Sequence, residues 1–295
     1  MDLTERFLNY IKHEKRYSPN TIRAYTDDIR CFSEFIKVGG GVSLPGVKPA
    51  EVRSWLVYLA GTGISARTYK RKLSSVKAFY KFLLREGVIE QMPTEAVIMP
   101  KYQNPLPDFF SHNEINALFD NITFNDGFTG KRDKLIMFLF YITGMRLSEL
   151  INIRLRDVDF SLQHIRVTGK RNKQRAIPVS PGTLKIIDGY IKARGEHLGS
   201  FDNNGYLFVK ENGEKVYPRM VQKLTSKYLS GATTSEKTNP HKFRHTFATH
   251  MLNNGADLNA VKEILGHASL AATEVYTHNT YEKLKSIYKQ AHPRA

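Results

Sequence analysis

The sequence is poor in the residues that staple small extracellular domains: among 295 residues there is one cysteine, Cys31. One thiol cannot build an internal disulfide framework, which fits an expectation of cytoplasmic residence. Nothing local marks Cys31 as an activated nucleophile, and it reads as a helix packing residue. Long apolar runs are also lacking. The longest, Leu135 to Ile142, falls far short of the ~20 residues a membrane-spanning helix requires, so no membrane association is expected. The opening MDLTERF leads into no apolar stretch and does not read as a signal peptide. Internal repeats and low-complexity tracts are absent. The last deficit is in acid: 28 Asp and Glu stand against 44 Lys and Arg, for a formal charge of +16. Such an excess implies a polyanionic partner, nucleic acid before an anionic surface.

Hydropathy patterning divides the chain. A helix is predicted near Leu3 to Ile11. Ser18-Pro19 supplies a hydroxyl cap and a first-turn proline for a second, with Ile22, Tyr25, Ile29, Phe32 and Ile36 on one face up to Gly39-Gly40-Gly41. Pro49 opens a third, with Val52, Trp55, Leu56 and Leu59 inward. Ser65 opens a fourth, with Leu73, Val76, Tyr80 and Leu83 inward and Gly87 at its end. Residues 1–97 are thus expected to form an all-α domain of about four helices. The fourth helix carries Arg67, Lys70, Arg71, Lys72, Lys77, Lys81 and Arg85, locally offset only by Glu86, and is a candidate DNA-contacting face. Residues 98–107 hold three prolines without periodicity and read as a linker.

A second domain, 108–295, is expected to begin at the capping box Ser111-His112-Asn113-Glu114. A buried helix is predicted at Leu135 to Ile142, an interruption at Thr143-Gly144, and renewed helix from Met145 to Ile153. His164 to Val167 and Arg175 to Val179 read as a β-hairpin around the basic loop Gly169-Lys170-Arg171-Asn172-Lys173. Tyr206 to Val209 reads as another short strand before an Asn212-Gly213 turn, and the chain is predicted mostly helical from Pro218 onward. The fold class expected is mainly α with a small β-sheet: an all-α N-terminal domain followed by an α+β domain.

Four segments of the second domain carry candidate chemistry: TGMRLSEL at 143–150, Gly169-Lys170, PHKFRHTFATH at 240–250, and LGHASLAATEVYTH at 265–278. His241 and Arg244 stand three apart on a predicted helix and so project from one face. Taken singly, each segment has an ordinary structural reading: Arg146 as an ion-pair partner, Lys170 as a solvated turn residue, Tyr276 as packing. His241, His245 and His250 form no zinc-binding pattern with a nearby glutamate or cysteine, and no metal is expected.

Together the four segments resemble the tyrosine recombinase and integrase family, and the Xer recombinases most closely. The order Arg, Lys, His-x-x-Arg, His, Tyr matches that family's catalytic set. RYSPNTIRAY at 16–25 and RTYKRKLSSVKAFYKFLLREG at 67–87 resemble its core-binding domain, so the likeness spans nearly the whole chain. The departures are small: Met145 and Phe243 where leucine is common, and Arg171 where glycine often follows the hairpin lysine. The resemblance implies that Arg146, Lys170, His241, Arg244, His267 and Tyr276 form the active site. It further implies that Arg67, Lys70, Arg71, Lys72, Lys77 and Lys173 approach DNA, and that no cofactor is needed. The domains would close as a C-shaped clamp on a duplex bearing a specific site. Four protomers would exchange strands through a Holliday junction, with a second related recombinase and an activating translocase as candidate partners. The tail Tyr281 to Gln290, with Leu284, Ile287 and Tyr288 at helical spacing, would pack into a neighbouring protomer, the alternative being a tail folded onto its own domain. Chromosome dimer resolution is the first expectation of role, with an integrase or invertase of a mobile element as the alternative. A type IB topoisomerase shares the chemistry but not the first domain. A non-catalytic DNA-binding regulator would not be expected to keep all six residues, and nothing positive supports an RNA- or membrane-surface-binding protein.

Each phosphate neutralised contributes about −0.9 to the slope of log affinity against log salt. Titrating duplex binding against salt should give a slope steeper than about −3. A shallower slope would speak against a protein that surrounds its DNA.

Overall fold

Side-chain oxygens set where the helices begin. The computed structural model describes residues 2–97, 108–121, 123–169, 172–199, 205–230, 239–266 and 278–294. The chain divides into two compact units, Met1–Pro105 and Leu106–Ala295. In the first, helix α1 (Leu3–Asn9) runs into a π-helical turn at Tyr10–Glu14, followed by α2 (Pro19–Val38), α3 (Pro49–Gly61) and α4 (Ala66–Arg85). The Ser18 hydroxyl accepts the Thr21 N–H at 3.2 Å and that of Ser65 accepts the Thr68 N–H at 3.3 Å, as N-caps do. The expected four-helix unit is therefore present. Its core is aromatic: Phe32 meets Trp55 edge-on at 4.9 Å, and Phe7 meets Phe79 at 5.5 Å.

One carboxylate is buried in that unit. Asp28 is fully enclosed and accepts from Arg71, from Lys72 Nζ at 3.3 Å and from the Ser75 hydroxyl at 2.8 Å. Three donors compensate the cost of taking this charge out of water.

The second unit contains α5 (His112–Asn121), α6 (Gly127–Thr143), the short α7 (Leu147–Leu150), strands β1 (Val158–Asp159), β2 (His164–Thr168) and β3 (Gln174–Pro178), then α8 (Pro181–Leu198), α9 (Pro218–Ser230), α10 (Pro240–Asn253), α11 (Leu258–Leu265) and α12 (His278–Ala291). The strands form one antiparallel sheet in sequence order, with Ile165 opposite Ile177 and Val167 opposite Arg175. Helix α6 is apolar nearly all round and lies in the core, with Leu135, Ile136, Met137, Leu139, Phe140 and Ile142 inaccessible to solvent.

Two predicted elements differ. Helix is found only at Leu147–Leu150 within the stretch expected to run to Ile153. The reason is competition for backbone partners: the Ile153 carbonyl takes the Leu207 N–H at 2.8 Å, and the Leu155 N–H donates to Gly205 at 3.1 Å. Correspondingly, Tyr206 to Val209 forms isolated bridges, Arg154 with Tyr206 and Val209 with Lys215, rather than a strand.

The C-terminal helix docks on its own unit, the alternative placement for the tail. Leu284, Tyr288 and Ala291 are buried in the second unit's core, and Ile287 packs against it. Asn254 Nδ2 holds the Ala291 carbonyl at 2.7 Å, and the Tyr281 hydroxyl donates to the carbonyls of Leu162 and Gln163 at 3.1 Å. The apolar stripe that reads as a surface for a neighbour finds α10, α11 and β3 of the same chain.

Beneath α12 lies a stack of rings. His292 lies face to face with Tyr288 at 5.1 Å and with Phe247 at 5.5 Å, and His112 stacks on His250 at 3.8 Å. The Tyr141 hydroxyl lies 3.2 Å from His250 Nδ1, and the Arg294 N–H donates to His292 Nδ1 at 3.1 Å. Burial, aided by neighbouring His112, pushes His250 down to about 4. Burial also pushes His292 down to about 3, aided by His250, Arg294 and His112 against a Tyr141 backbone acceptor. Both folded values lie below the unfolded ~6.5, so below that pH the unfolded chain binds the extra protons and stability falls as pH falls. Each histidine should cost up to about 1.4 kcal/mol per pH unit inside that window. Thermal unfolding should therefore drop from pH 7 to about pH 5 more steeply in the native chain than in His292→Phe, which keeps the ring and removes the titration. Parallel curves would mean that His292 does not titrate on unfolding.

Candidate active site

Arg146 is positioned by a left-handed glycine. Helix α6 ends at Gly144, φ +58, where a Cβ would lie 2.7 Å from Leu265 Cδ2 and 2.8 Å from the Phe247 ring. Only glycine tolerates both that backbone and that approach. The close contact brings the start of α7 against the end of α11. Arg146 caps α7 in extended conformation, and Glu149 folds back onto it in capping-box fashion. Glu149 Oε2 accepts the Arg146 N–H at 2.8 Å, and Oε1 accepts its Nη1 at 2.9 Å.

Arg244 comes from α10. The Asn239 side chain accepts the N–H groups of His241 and Lys242 at 3.0 and 3.3 Å, and Pro240 occupies the first turn, so the helix start is fixed. His241 is exposed one turn before Arg244. The buried Arg244 guanidinium donates to the Gly144 carbonyl at 2.8 Å and to the Leu265 carbonyl at 2.7 Å. Arg146 Nη2 reaches the Gly266 carbonyl at 3.5 Å. Two arginines ninety-eight positions apart in sequence, from 146 to 244, thus meet on one stretch of backbone, 265–266.

A third guanidinium lies behind them. Arg175 on β3 is buried and pairs with Glu149 in fork geometry, Nη1 to Oε1 and Nη2 to Oε2, both at 2.9 Å, while its Nε donates to Ile264 at 2.6 Å. Burial works to raise the Glu149 carboxyl, but the hydrogen bonds and charge of Arg175, with those of Arg146, outweigh it and hold the group below the usual carboxylate range. Burial first, then the charges of Arg146 and Arg175, push Arg244 down to about 10 despite Glu149. It stays charged at neutral pH. Three guanidiniums around one carboxylate suit the site to a further anion.

Lys170, His267 and Tyr276 lie outside the described residues, but the residues before two of them do not. Gly169 closes its loop by donating to the Lys173 carbonyl at 2.7 Å, and a Cβ there would sit 3.3 Å from Glu149 Oε1. Gly266, φ +66, ends α11 with the Arg175 guanidinium 3.0 Å from where its Cβ would be. Among the described residues, no group of three or more His, Cys, Asp or Glu side chains converges as metal ligands would.

The basic residues expected to approach DNA divide by what they touch. Arg67 and Lys173 are exposed and Lys70 is half-buried. Arg71 and Lys72 are tied to Asp28, and Lys77 Nζ donates to the Val97 carbonyl at 3.1 Å. Arg71 remains 42 % exposed, so its ion pair does not withdraw it from the surface. Sequence reasoning missed Glu149 and Arg175. Glu149 was findable, because Arg-x-x-Glu at a helix start places its carboxylate on the capping position. Arg175 was signalled only weakly, as a charge on the inward register of a strand.

Residues 108–283 match the phage integrase family and residues 4–87 match the phage integrase N-terminal SAM-like domain. The tyrosine recombinase XerC of Chlorobaculum tepidum is 38% identical, covering 98% of this chain and 94% of the relative. That of Anoxybacillus flavithermus is 40% identical, covering 98% and 97%. Among solved structures, the XerH site-specific recombinase bound to a palindromic difH substrate superposes with a TM-score of 0.73 at 22% identity, covering 96% of this chain and 83% of that one. The Tn1549 transposon integrase in complex with transposon right end DNA gives 0.72 at 21% identity, covering 96% and 98%. The structural likenesses speak to the fold. The family match and the near-full-length relatives go further: the chain belongs to the phage integrase family of tyrosine recombinases, enzymes that cleave and rejoin DNA.

Proposed function

We propose that this chain is a site-specific recombinase acting in chromosome dimer resolution, with Arg146, Lys170, His241, Arg244, His267 and Tyr276 as its catalytic residues. The supporting observation is the convergence of Arg146 and Arg244 on residues 265–266, immediately ahead of His267 in sequence. The near-full-length similarity to XerC recombinases supports the role. In-line attack on a phosphodiester spreads negative charge over the non-bridging oxygens, and paired arginine donors stabilise that charge without losing their own. His267 adds a donor to the same oxygens. The Tyr276 hydroxyl attacks phosphorus and passes its proton to His241. The 5′ oxygen departs with a proton from Lys170. The products are a 3′-phosphotyrosine and a free 5′ hydroxyl. One ester is exchanged for another, so reversal onto a different 5′ end needs no ATP.

The DNA partner is a duplex carrying a specific site, engaged by both units, with Arg67, Lys70, Arg71, Lys72, Lys77 and Lys173 as candidate contacts. Four protomers assemble on two sites, with room for a second related recombinase and a translocase activator.

The test uses a duplex selected by this protein from a random library, nicked near the scissile phosphate so that cleavage traps the covalent product. Tyr276→Phe should bind as the native chain does and form no adduct. An adduct with this variant would remove Tyr276 from its role. Arg146→Lys and Arg244→Lys keep charge but lose the planar fork, and each should slow cleavage on the order of 10²- to 10³-fold. Near-normal cleavage by either would make that arginine a structural ion-pair partner only.

A further inference from the structure

Arg175 is buried against Glu149, the end of α11 and Gly169, yet the proposed chemistry uses it nowhere. Its fork clamps both oxygens of Glu149, the carboxylate that also holds the Arg146 backbone and guanidinium. Its Nε holds the Ile264 carbonyl at the end of α11, and its guanidinium abuts Gly266. On its other side, Nη1 lies 3.8 Å from the Cβ position of Gly169. This one buried side chain therefore shares a carboxylate with Arg146 and adjoins the residue before Lys170 and the residue before His267. Gly266 is also where the Arg146 guanidinium makes its second contact.

We infer that Arg175 is a positioning residue for strand cleavage: through Glu149 and the α11 terminus it fixes the Arg146 guanidinium relative to residues 264–266. The inference rests on the proposed role of Arg146. A carboxylate pairing with Arg146 alone could follow that side chain into several rotamers. Clamped from behind by a second fork, Glu149 has one orientation, and Arg146 Nη1 inherits it. The strand origin of Arg175 matters too, because β3 is paired along its length with β2 and cannot rotate the fork away. A lysine in its place would present a point charge with neither the second parallel bond nor the hold on Ile264.

The experiment compares Arg175→Lys and Arg175→Met in the full chain, on the selected nicked duplex and on the same duplex with a neutral methylphosphonate at the scissile position. Duplex affinity and thermal unfolding are measured alongside. Arg175→Lys should cleave the ordinary phosphate about 10- to 100-fold more slowly, the usual cost of losing a group that orients a reactive one, with affinity changed less than about threefold. On the methylphosphonate, which lacks the charge that Arg146 would stabilise, the defect should shrink toward about one, in parallel with that of Arg146→Lys. A residue that only stabilises the fold would give the same defect on both linkages, and that result overturns the inference. So does normal cleavage by Arg175→Lys when Arg146→Lys is slow. If Arg146→Lys itself cleaves normally, the reading of the active site fails, and that failure is visible separately. Arg175→Met fills the space without charge. If both variants are unfolded at the assay temperature, Arg175 is a folding residue and the inference is wrong.

Discussion

The arrangement of the second unit depends on one buried carboxylate held by two arginines. Glu149 is almost wholly enclosed, with its oxygens occupied by Arg175 from behind and Arg146 from in front. A buried carboxylate with one partner would be costly, and removing either partner from such a cluster typically costs several kcal/mol because a desolvated charge is left behind. With both partners present the pair is satisfied, and the satisfaction requires α7, β3 and the end of α11 to meet at one point. Gly144 and Gly266 are the corollaries, for a side chain at either would push those elements apart. Packing and polar geometry therefore select the same arrangement.

The same cluster leaves positive charge in excess. Arg146 is a third exposed while Arg175 is buried, so the carboxylate is covered on its inner side and the outward charge belongs to Arg146. Arg244 satisfies its donors on two carbonyls, which orient it without neutralising it. The depressed proton affinity of Arg244 expresses its burial first and then the crowding of like charges from Arg146 and Arg175. A phosphate oxygen would relieve that crowding, and more so as attack concentrates charge upon it. Preorganisation of this kind is stabilised by the fold before DNA arrives.

Periodicity and capping chemistry revealed most of this architecture in advance. Ser18, Ser65 and Pro49 mark helix starts because local hydrogen bonds and proline geometry operate without tertiary help. The hairpin around residues 169–173 was legible for the same reason. The early end of α7 and the irregular stretch 205–209 were not, because residues 153 and 155 take their backbone partners from 205 and 207, some fifty residues on in sequence. The site followed this pattern. The order of basic residues and tyrosine identified the chemistry, and the structure places Arg146 and Arg244 together. Arg175 was obscure, since a buried arginine acquires meaning only when its carboxylate partner is known. Lys72 illustrates the converse, since a basic helix face in sequence conceals the acid, Asp28, that α2 brings beneath it.

The docking of α12 bears, by simple chain geometry, on Tyr276, the residue proposed as nucleophile. Tyr276 stands two positions before α12 and ten after Gly266. Both ends of that interval are fixed to the same unit: Gly266 through Arg146, and α12 through Leu284, Tyr288 and Asn254. A chain segment spans at most about 3.3–3.6 Å per residue, so any position two residues ahead of a helix lies within roughly 7 Å of its first Cα. The ring stack of Tyr288, His292 and Phe247 holds α12, and buries groups that lose little by staying neutral and much by being protonated. Anchoring the start of α12 thus becomes a property of the core, and its strength follows the burial of Leu284, Tyr288 and Ala291.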